Sequence, residues 1–469
     1  MLNEDTICAI STPSGSGAIA VIRLSGPDAI TITEKVFIPQ KKGKLLNKQK
    51  ANTIHHGLIK DNGKIIDDVL AGIFRAPNSY TGEDLVEISC HGSLYIQQKI
   101  LEILTRNGAR LAKPGEYTMR AYLNGKMDLS QAEAVADLIA SASKAAHSVA
   151  LNQMRGGFRD LIKNLRDQLL NFTSLVELEL DFSEEDVEFA DRKKLKALVN
   201  KIGKLLSQLT DSFELGNVIK NGVPVAIIGK TNAGKSTLLN LLLKEDKAIV
   251  SEIPGTTRDY IEDIISLDGI HFRFIDTAGL RDTTDELEVM GIERTYQKID
   301  QASIVLLIID SKEPPESVKQ AVSELKSHIK GTDKHLVVVL NKTDLVDKKE
   351  ILEKENMLSG ILTEKDYCVS ISAKHSKNIR KLEEFLKEAE NLGRYTENDV
   401  IITNARHYEA LKNAHDSILR VQDGFKNNLS EDLIAMDLRQ VIQSLGEITG
   451  EITTDEVLGN IFRNFCIGK

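Results

Sequence analysis

The segment Gly229-Lys230-Thr231-Asn232-Ala233-Gly234-Lys235-Ser236 restricts what this chain can fold into more than any other stretch. It follows an apolar run, residues 223–228, that predicts a buried strand, and it precedes residues 237–243, which predict the start of a helix. A glycine-bounded loop of this spacing between strand and helix turns its backbone N–H groups inward around phosphates. Lys235 supplies a point charge to the β- and γ-phosphates, Ser236 offers a hydroxyl to Mg²⁺, and Asn232, Ala233, Gly234 and Thr237 complete the cradle. The chain must therefore contain an α/β unit with a nucleotide at the carboxyl ends of its strands.

Asn341-Lys342-Thr343-Asp344 decides which nucleotide. Asp344 can accept hydrogen bonds from guanine N1–H and N2–H₂, which adenine cannot offer, and a polar site rejects the base that leaves its groups unpaired. Residues 336–340 predict the strand that delivers this segment, and Ser372-Ala373-Lys374, after the apolar residues 367–371, would touch the base mainly through its backbone. Between phosphate loop and base reader stand two further segments. Pro254-Gly255-Thr256-Thr257-Arg258-Asp259 suits a switch, with Thr257 offering its hydroxyl to Mg²⁺ and its N–H to the γ-phosphate. Asp276-Thr277-Ala278-Gly279 would hold Mg²⁺ through water and bring an N–H to the γ-phosphate. The next residue is Leu280, which cannot orient a hydrolytic water as the glutamine of Ras-like enzymes does. Glu288 is a candidate for that task, but residue chemistry alone ranks it no higher than Asp285 or Glu286. Asn232 is a candidate ligand for a monovalent cation placed where an arginine finger would act.

A length of 469 residues exceeds one ordinary domain, and 41% hydrophobic with 28% charged residues is a globular composition. No basic stretch followed by a long apolar run opens the chain, so no secretory signal or membrane span is expected. Cys8, Cys90, Cys368 and Cys466 lack metal-ligand spacing and read as reduced thiols of a cytoplasmic protein. A net charge of −9 argues against a sequence-independent nucleic-acid coat protein, so a nucleic-acid substrate needs a local basic patch or a partner. Residues 1–125 predict an α+β domain, with strands at 18–24, 65–71 and 85–89 and a helix at 96–106. Residues 126–221 predict helices, with one stripe through Phe158, Leu161, Ile162, Leu165, Leu169, Phe172 and Leu175 and another from Leu195 to Leu209. The acidic residues 181–186 read as a connection between them. Residues 222–383 alternate strands and helices and carry every nucleotide motif. Residues 384–469 return to helices, with Tyr408, Leu411, His415, Ile418 and Leu419 on one face. The fold class is thus multidomain, α+β followed by an all-α domain into which a Ras-like α/β P-loop domain is inserted.

Taken together, the nucleotide motifs, Ser79-Tyr80-Thr81-Gly82-Glu83-Asp84, Cys90-His91-Gly92, Lys113-Pro114-Gly115-Glu116, Leu123-Asn124-Gly125-Lys126 and the tail Phe465-Cys466-Ile467-Gly468-Lys469 resemble the MnmE (TrmE) family of tRNA-modification GTPases over essentially the whole chain. The resemblance implies a homodimer formed through an aminomethyltransferase-like N-terminal domain that binds 5,10-methylenetetrahydrofolate or 5-formyltetrahydrofolate. Arg23, Glu87 and Lys126 match its folate contacts, and Lys469 reaches the same pocket. It implies K⁺ beside the Mg²⁺-bound GTP, held by Asn232, Ser251, Ile253 and Thr256, within a nucleotide-contacting loop that also includes Glu252, Pro254 and Gly255. It further implies Glu288 as the residue orienting water, Arg258 and Arg281 as switch arginines, and Cys466 as a residue needed for modification. The implied partner is the FAD-containing MnmG (GidA), joined in a heterotetramer or larger complex that places an aminomethyl or carboxymethylaminomethyl group on C5 of the wobble uridine of certain tRNAs. A GTP-dependent ribosome-assembly or RNA-binding switch is the competing class, and it leaves Arg23, Glu87, Lys126, Lys469 and the tail cysteine without a purpose.

Overall fold

The computed structural model describes residues 5–41, 43, 45–181, 192–245, 263–267, 270–275, 299–332, 334–389, 400–427, 429–463 and 465–468. They fall into two compact units, one made of Met1–Ala140, Ala150–Ser207 and Glu409–Lys469, the other of Ser141–Val149 and Gln208–Tyr408.

The first unit begins with strands β1 (Ile7–Ile10), β2 (Ile19–Ser25), β3 (Phe37–Pro39), β4 (Thr53–Asp61), β5 (Lys64–Phe74), β6 (Leu85–His91) and β7 (Arg110–Leu111), in the sheet order β3-β4-β5-β6-β2-β1-β7. Period-two alternation sends Ala20, Ile22 and Leu24 of β2 and Val86, Ile88 and Cys90 of β6 into a core shared with helices α1 (Ala29–Val36) and α2 (Leu94–Arg106). The intervening residues, Val21 and Arg23 on β2 and Glu87 and Ser89 on β6, therefore stand on the other face of the sheet, where Arg23 is directly opposite Glu87. The predicted strands at 65–71 and 85–89 both lengthen. The sequence does not announce β4, because its half-exposed run Thr53–Asp61 carries histidines and a lysine in place of a clean apolar alternation.

Helices follow: α3 (Glu116–Leu123), α4 (Leu129–Ala140), α5 (Lys144–Met154), α6 (Gly157–Asp181) and α7 (Arg192–Asn221). The α6 stripe buries Phe158, Ile162, Leu165, Leu169 and Val176, while Leu175 is 38% exposed. That corrects the expected stripe. At about 100° per residue Leu175 lies a quarter turn off the line through Phe158 and Leu169, and Val176 continues that line.

In the second unit, β8 (Val223–Ile228), β9 (Asp263–Leu267), β10 (Ile270–Phe274), β11 (Ile304–Asp310), β12 (His335–Asn341) and β13 (Tyr367–Ser370) form a sheet ordered β13-β12-β11-β8-β10-β9. All neighbours are parallel except β9 against β10. The near-continuous apolar runs of β8, β11 and β12 fit strands covered on both faces. Their cover comes from α8 (Lys235–Glu245), α9 (Pro315–His328), α10 (Lys348–Ser359) and α11 (Ile379–Ala389).

The chain then runs through α12 (Ala405–Lys426), α13 (Glu431–Thr449) and α14 (Asp455–Arg463). In the first unit α13 packs along α6, burying Ile434, Leu438, Val441, Leu445 and Ile448. α7 approaches α12 closely at Gly203, where an added Cβ would lie 2.8 Å from Gln422 Nε2 and 3.1 Å from Ile418 Cγ2. On α12, Leu411 and Ile418 are buried, but Leu419 is 43% exposed. The expected face therefore turns toward Ala414 and Val421, which are buried, and away from Leu419.

Candidate functional site

β8 ends at Ile228 and the phosphate loop begins at Gly229 with a backbone φ of 147°, followed by Asn232 at 65° and Gly234 at 100°. At both glycines a side chain is sterically barred. A Cβ on Gly229 would lie 2.2 Å from the Ile308 carbonyl oxygen of β11, and one on Gly234 would lie 2.2 Å from Asn341 Nδ2. The loop thus needs glycine for backbone conformation and for close approach together. Lys235 opens α8 and its Nζ donates to the Gly229 and Lys230 carbonyls at 2.6 and 2.9 Å, which places the ammonium in the concavity of the loop. Ser236 and Thr237 follow in the first turn of α8, and the positive end of a helix dipole favours an anion there.

The base-reading segments converge on this loop. Asn341, the last residue of β12, is 2% exposed. Its Nδ2 donates to the Ala233 carbonyl at 2.9 Å and its Oδ1 accepts from the Ala373 N–H at 3.0 Å. One side chain therefore ties the phosphate loop to the Ser372-Ala373-Lys374 turn. Lys342 adopts φ 65° and its Nζ pairs with Asp310 Oδ2 at 2.7 Å at the end of β11. Burial is the largest influence on Asp310 and opposes its charge, but the Lys342 bond, the Lys312 N–H and the two nearby ammonium charges together outweigh it and hold the carboxyl below its ordinary pKa. Thr343 caps the Ile371 carbonyl through both its N–H and its hydroxyl, at 3.1 and 2.9 Å. Asp344 Oδ1 accepts from Ser372 Oγ at 2.6 Å, and this bond is the chief cause that lowers its pKa. Asp344 is thus an oriented anion at the carboxyl edge of the sheet, beside the half-turn that carries Lys374.

Sequence reasoning missed a second brace. Lys230 of the phosphate loop pairs with Glu313 at 2.7 Å and reaches Ser317 Oγ at 3.1 Å, so the turn after β11 grips both the phosphate loop and Lys342. The signal was available in Asp310-Ser311-Lys312-Glu313 directly after a buried strand. Ser251, Glu252, Ile253, Pro254, Gly255, Thr256, Thr257 and Arg258, with Asp276, Thr277, Ala278, Gly279, Arg281 and Glu288, lie outside the described residues.

A second constellation stands on the face of the first unit's sheet away from α1 and α2. Arg23 Nε and Nη2 both donate to Glu87 Oε1, at 3.0 and 2.8 Å. The guanidinium carbon is 5.3 Å from the centroid of the Tyr80 ring and 5.6 Å from that of Tyr117. Tyr117 also donates its hydroxyl to the Arg23 carbonyl at 2.7 Å, and burial pushes that phenol well above its ordinary pKa. The C-terminal tail arrives at the same place. Gly468 is buried, and its carbonyl accepts from Ser11 Oγ at 3.2 Å and Arg23 Nη1 at 3.4 Å. The Cys466 carbonyl accepts from the Gly115 N–H at 3.4 Å, leaving the residue itself exposed. Lys126 Nζ donates to the Pro77 carbonyl at 2.9 Å, and Lys469 lies outside the described residues. Arg23, Glu87 and the tail are therefore brought together in space although the chain separates them widely.

The four thiols differ sharply in environment. Burial pushes Cys8 and Cys90 up to about 11 and Cys368 up to about 12, whereas Cys466 is exposed. Because the thiolate is the nucleophile, iodoacetamide at about pH 8 should alkylate Cys466 well before the others. Mass spectrometry of a time course checks this, and labelling of Cys368 at the rate of Cys466 would contradict it. Among the described residues no cluster of His, Cys, Asp or Glu could hold a metal ion, and no helix is long and apolar enough to cross a membrane.

Comparison with known proteins gives two family models. The MnmE helical domain matches residues 129–466, and the GTP-binding protein TrmE N-terminus matches residues 6–126. The chain is 56% identical over 468 residues to the tRNA modification GTPase MnmE of Bacteroides thetaiotaomicron, with 100% of each chain covered. It is 53% identical over 470 residues to the protein of that name from Flavobacterium johnsoniae, again with 100% of each covered. Among solved structures, a variant of Aquifex aeolicus Era bound to GDP and aluminium fluoride is 26% identical and covers 42% of this chain and 66% of that one, with a TM-score of 0.27. So low a score adds no weight to the fold.

Proposed function

We infer the function of this chain from the family to which it belongs, the tRNA modification GTPases named MnmE. It is a GTP hydrolase that acts in tRNA modification. The finer reading is that it works with an FAD-containing partner, MnmG, to add an aminomethyl or carboxymethylaminomethyl group to C5 of the wobble uridine, using a one-carbon unit from reduced folate. The observation that carries this reading is the junction of Arg23, Glu87 and Gly468 in a chain that also holds a phosphate loop tied to a guanine-reading segment. A GTPase used only as an assembly switch has no need of it.

The donor set fits a folate. Arg23 is a guanidinium close to two tyrosine rings, suited to a flat or anionic ligand, and both its bonds to Glu87 end on Oε1, so Oε2 is the oxygen a pterin N–H would reach. Lys126 and Lys469 would add cations for the glutamate tail. When bound, the folate supplies the one-carbon unit; the chain's own residues bind and orient it, and the tail brings the exposed Cys466 alongside. The flavin belongs to the partner.

In the nucleotide unit, Lys235 and the N–H groups of the loop offset charge developing on the phosphates. Ser236 with Thr257 would hold Mg²⁺, and Asn232 with Ser251, Ile253 and Thr256 would hold K⁺. Glu288 would orient the attacking water in place of the glutamine that Leu280 displaces, while Arg258 and Arg281 belong to the switches. The insertion of residues 222–383 into a helical domain formed by 126–221 and 384–469, after an N-terminal domain of 1–125, is the arrangement that lets hydrolysis rearrange the bundle bearing the tail. A homodimer is supported by Ile19, Ile54 and Leu70, which are 67%, 71% and 45% exposed and stand on the same sheet face as Arg23 and Glu87. A cytoplasmic location accords with four cysteines free of disulfides.

Mass spectrometry of tRNA nucleosides from a deletion strain tests the function. Loss of the wobble-uridine modification is expected, and unchanged wobble uridines would favour an assembly factor. Replacing K⁺ by Na⁺ should sharply lower GTP turnover of the purified protein; equal rates in both salts would remove the cation role given to Asn232.

A further inference from the structure

The tRNA substrate is a polyanion, yet the chain carries a net charge of −9, so the RNA must be met by a local surface. One helix face stands out. From Arg192 to Thr210, α7 contains no aspartate or glutamate; the first acidic residues on it are Asp211 and Glu214. Its buried stripe is Leu195, Val199, Ile202, Leu206 and Leu209. Lys196, Lys201 and Lys204 lie on the opposite side and are exposed, as are Lys193 and Lys194 in the first turn. At about 100° per residue these lysines span an arc of about 160° centred opposite the stripe, with Lys194 and Lys196 at its edges, and from Lys193 to Lys204 they extend along about 16 Å of helix axis.

We propose that this lysine face of α7 is a docking surface for the phosphate backbone of the tRNA substrate, an inference that rests on the tRNA-modifying function argued above. Charge complementarity selects this occupant. A line of like-charged ammonium groups on long stems neutralises successive phosphates and releases their counterions. A protein partner is disfavoured because protein interfaces are depleted in lysine and centre on large apolar or aromatic anchors. No exposed large hydrophobic lies between residues 192 and 207. Lys196 Nζ sits 5.5 Å from the ring centroid of Phe425 on the neighbouring helix α12, which steadies one ammonium at the edge of the face without neutralising it. The contacts are to phosphate, so the surface contributes affinity and register without reading sequence.

The test uses the full-length protein and a fluorescently labelled tRNA transcript bearing uridine at the wobble position, with binding followed by anisotropy between about 50 and 200 mM KCl, the range over which phosphate contacts show their salt dependence. The triple variant Lys196→Gln, Lys201→Gln, Lys204→Gln keeps side-chain length and helix propensity while removing the charges. Its log–log salt slope should fall by about 2 to 3, at about 0.7 to 0.9 per lost contact, with affinity weakened about tenfold or more at the lower salt. GTP hydrolysis and thermal unfolding should match the wild type, because these side chains are exposed and lie outside the nucleotide unit. A variant with the wild-type slope overturns the assignment of this face, as does a slope that falls equally when Lys348 and Lys349 of α10 are changed to Gln instead. Neither result touches the function itself, which stands or falls on the wobble-uridine measurement.

Discussion

Asp344→Asn should cost GTP affinity by about a thousandfold or more and should transfer that affinity to xanthosine triphosphate, as expected where buried polar groups are left with mismatched partners. The reason is the direction of hydrogen bonds. Asp344 Oδ1 accepts from Ser372 Oγ at 2.6 Å, and Ser372 is 1% exposed, so the carboxylate is fixed in rotation. An asparagine at this position can keep that bond with its oxygen, but its NH₂ then points where Oδ2 had been. Guanine presents N1–H and N2–H₂ there, so donor faces donor. Xanthine presents a carbonyl at C2, so donor faces acceptor. Since the Ser372 bond lowers the pKa of Asp344, the wild-type carboxylate stays charged at every pH above that lowered value. Guanine selectivity should therefore persist through mildly acidic buffers and weaken only as pH falls through it. Competition of unlabelled GTP, XTP and ATP against a labelled guanine nucleotide measures both effects. A variant that still prefers GTP would mean that another group reads the base.

The nucleotide unit was legible in the sequence because its chemistry is local. Glycine spacing and the Lys235 bonds back to the Gly229 and Lys230 carbonyls belong to the motif itself, and the flanking apolar runs declare the strand and the helix. What the sequence could not display is how separate motifs touch. Asn341 reads as one more nucleotide-contacting residue, but its side chain is engaged at both ends by Ala233, 108 positions away, and Ala373, 32 positions away. The Lys230 pair with Glu313 is of the same kind. Helix faces were legible to within a register step. Spacing puts Leu175 and Leu419 on buried stripes, yet each lies beside a residue, Val176 or Ile418, that is fully buried in its place. Arg23 and Glu87 were the least legible. On residue chemistry one is a surface charge and the other an alternating strand residue, and only their family resemblance marked them. Their register across β2 and β6, the rings of Tyr80 and Tyr117 and the arrival of Gly468 are consequences of topology that no local pattern encodes.

Gly468→Ala should lower tRNA modification by about a hundredfold, the scale on which a displacement of about 1 Å disables a positioned group, while leaving GTP hydrolysis at the wild-type rate. Gly468 has a backbone φ of 95°, a conformation L side chains rarely adopt, and its Cβ would lie 2.2 Å from the Ile10 carbonyl oxygen and 3.0 Å from the Ile10 carbonyl carbon. Both neighbours are backbone of β1, so they cannot swing aside as a side chain would, and the tail must move. Its other anchor, the bond from the Gly115 N–H to the Cys466 carbonyl, is long at 3.4 Å and gives little resistance. Movement would also withdraw the Gly468 carbonyl from Arg23 and Ser11, loosening the guanidinium that faces Glu87. The nucleotide motifs lie in the other compact unit, so hydrolysis serves as the internal control. Comparing this variant with Cys466→Ser separates position from chemistry. If the thiol acts directly, both lose modification, but only Gly468→Ala should also weaken reduced-folate binding measured by calorimetry. Undiminished modification in Gly468→Ala would show that the tail need not be docked at Ile10 for the reaction, and the contact of the Gly468 carbonyl with Arg23 would then have no part in the chemistry.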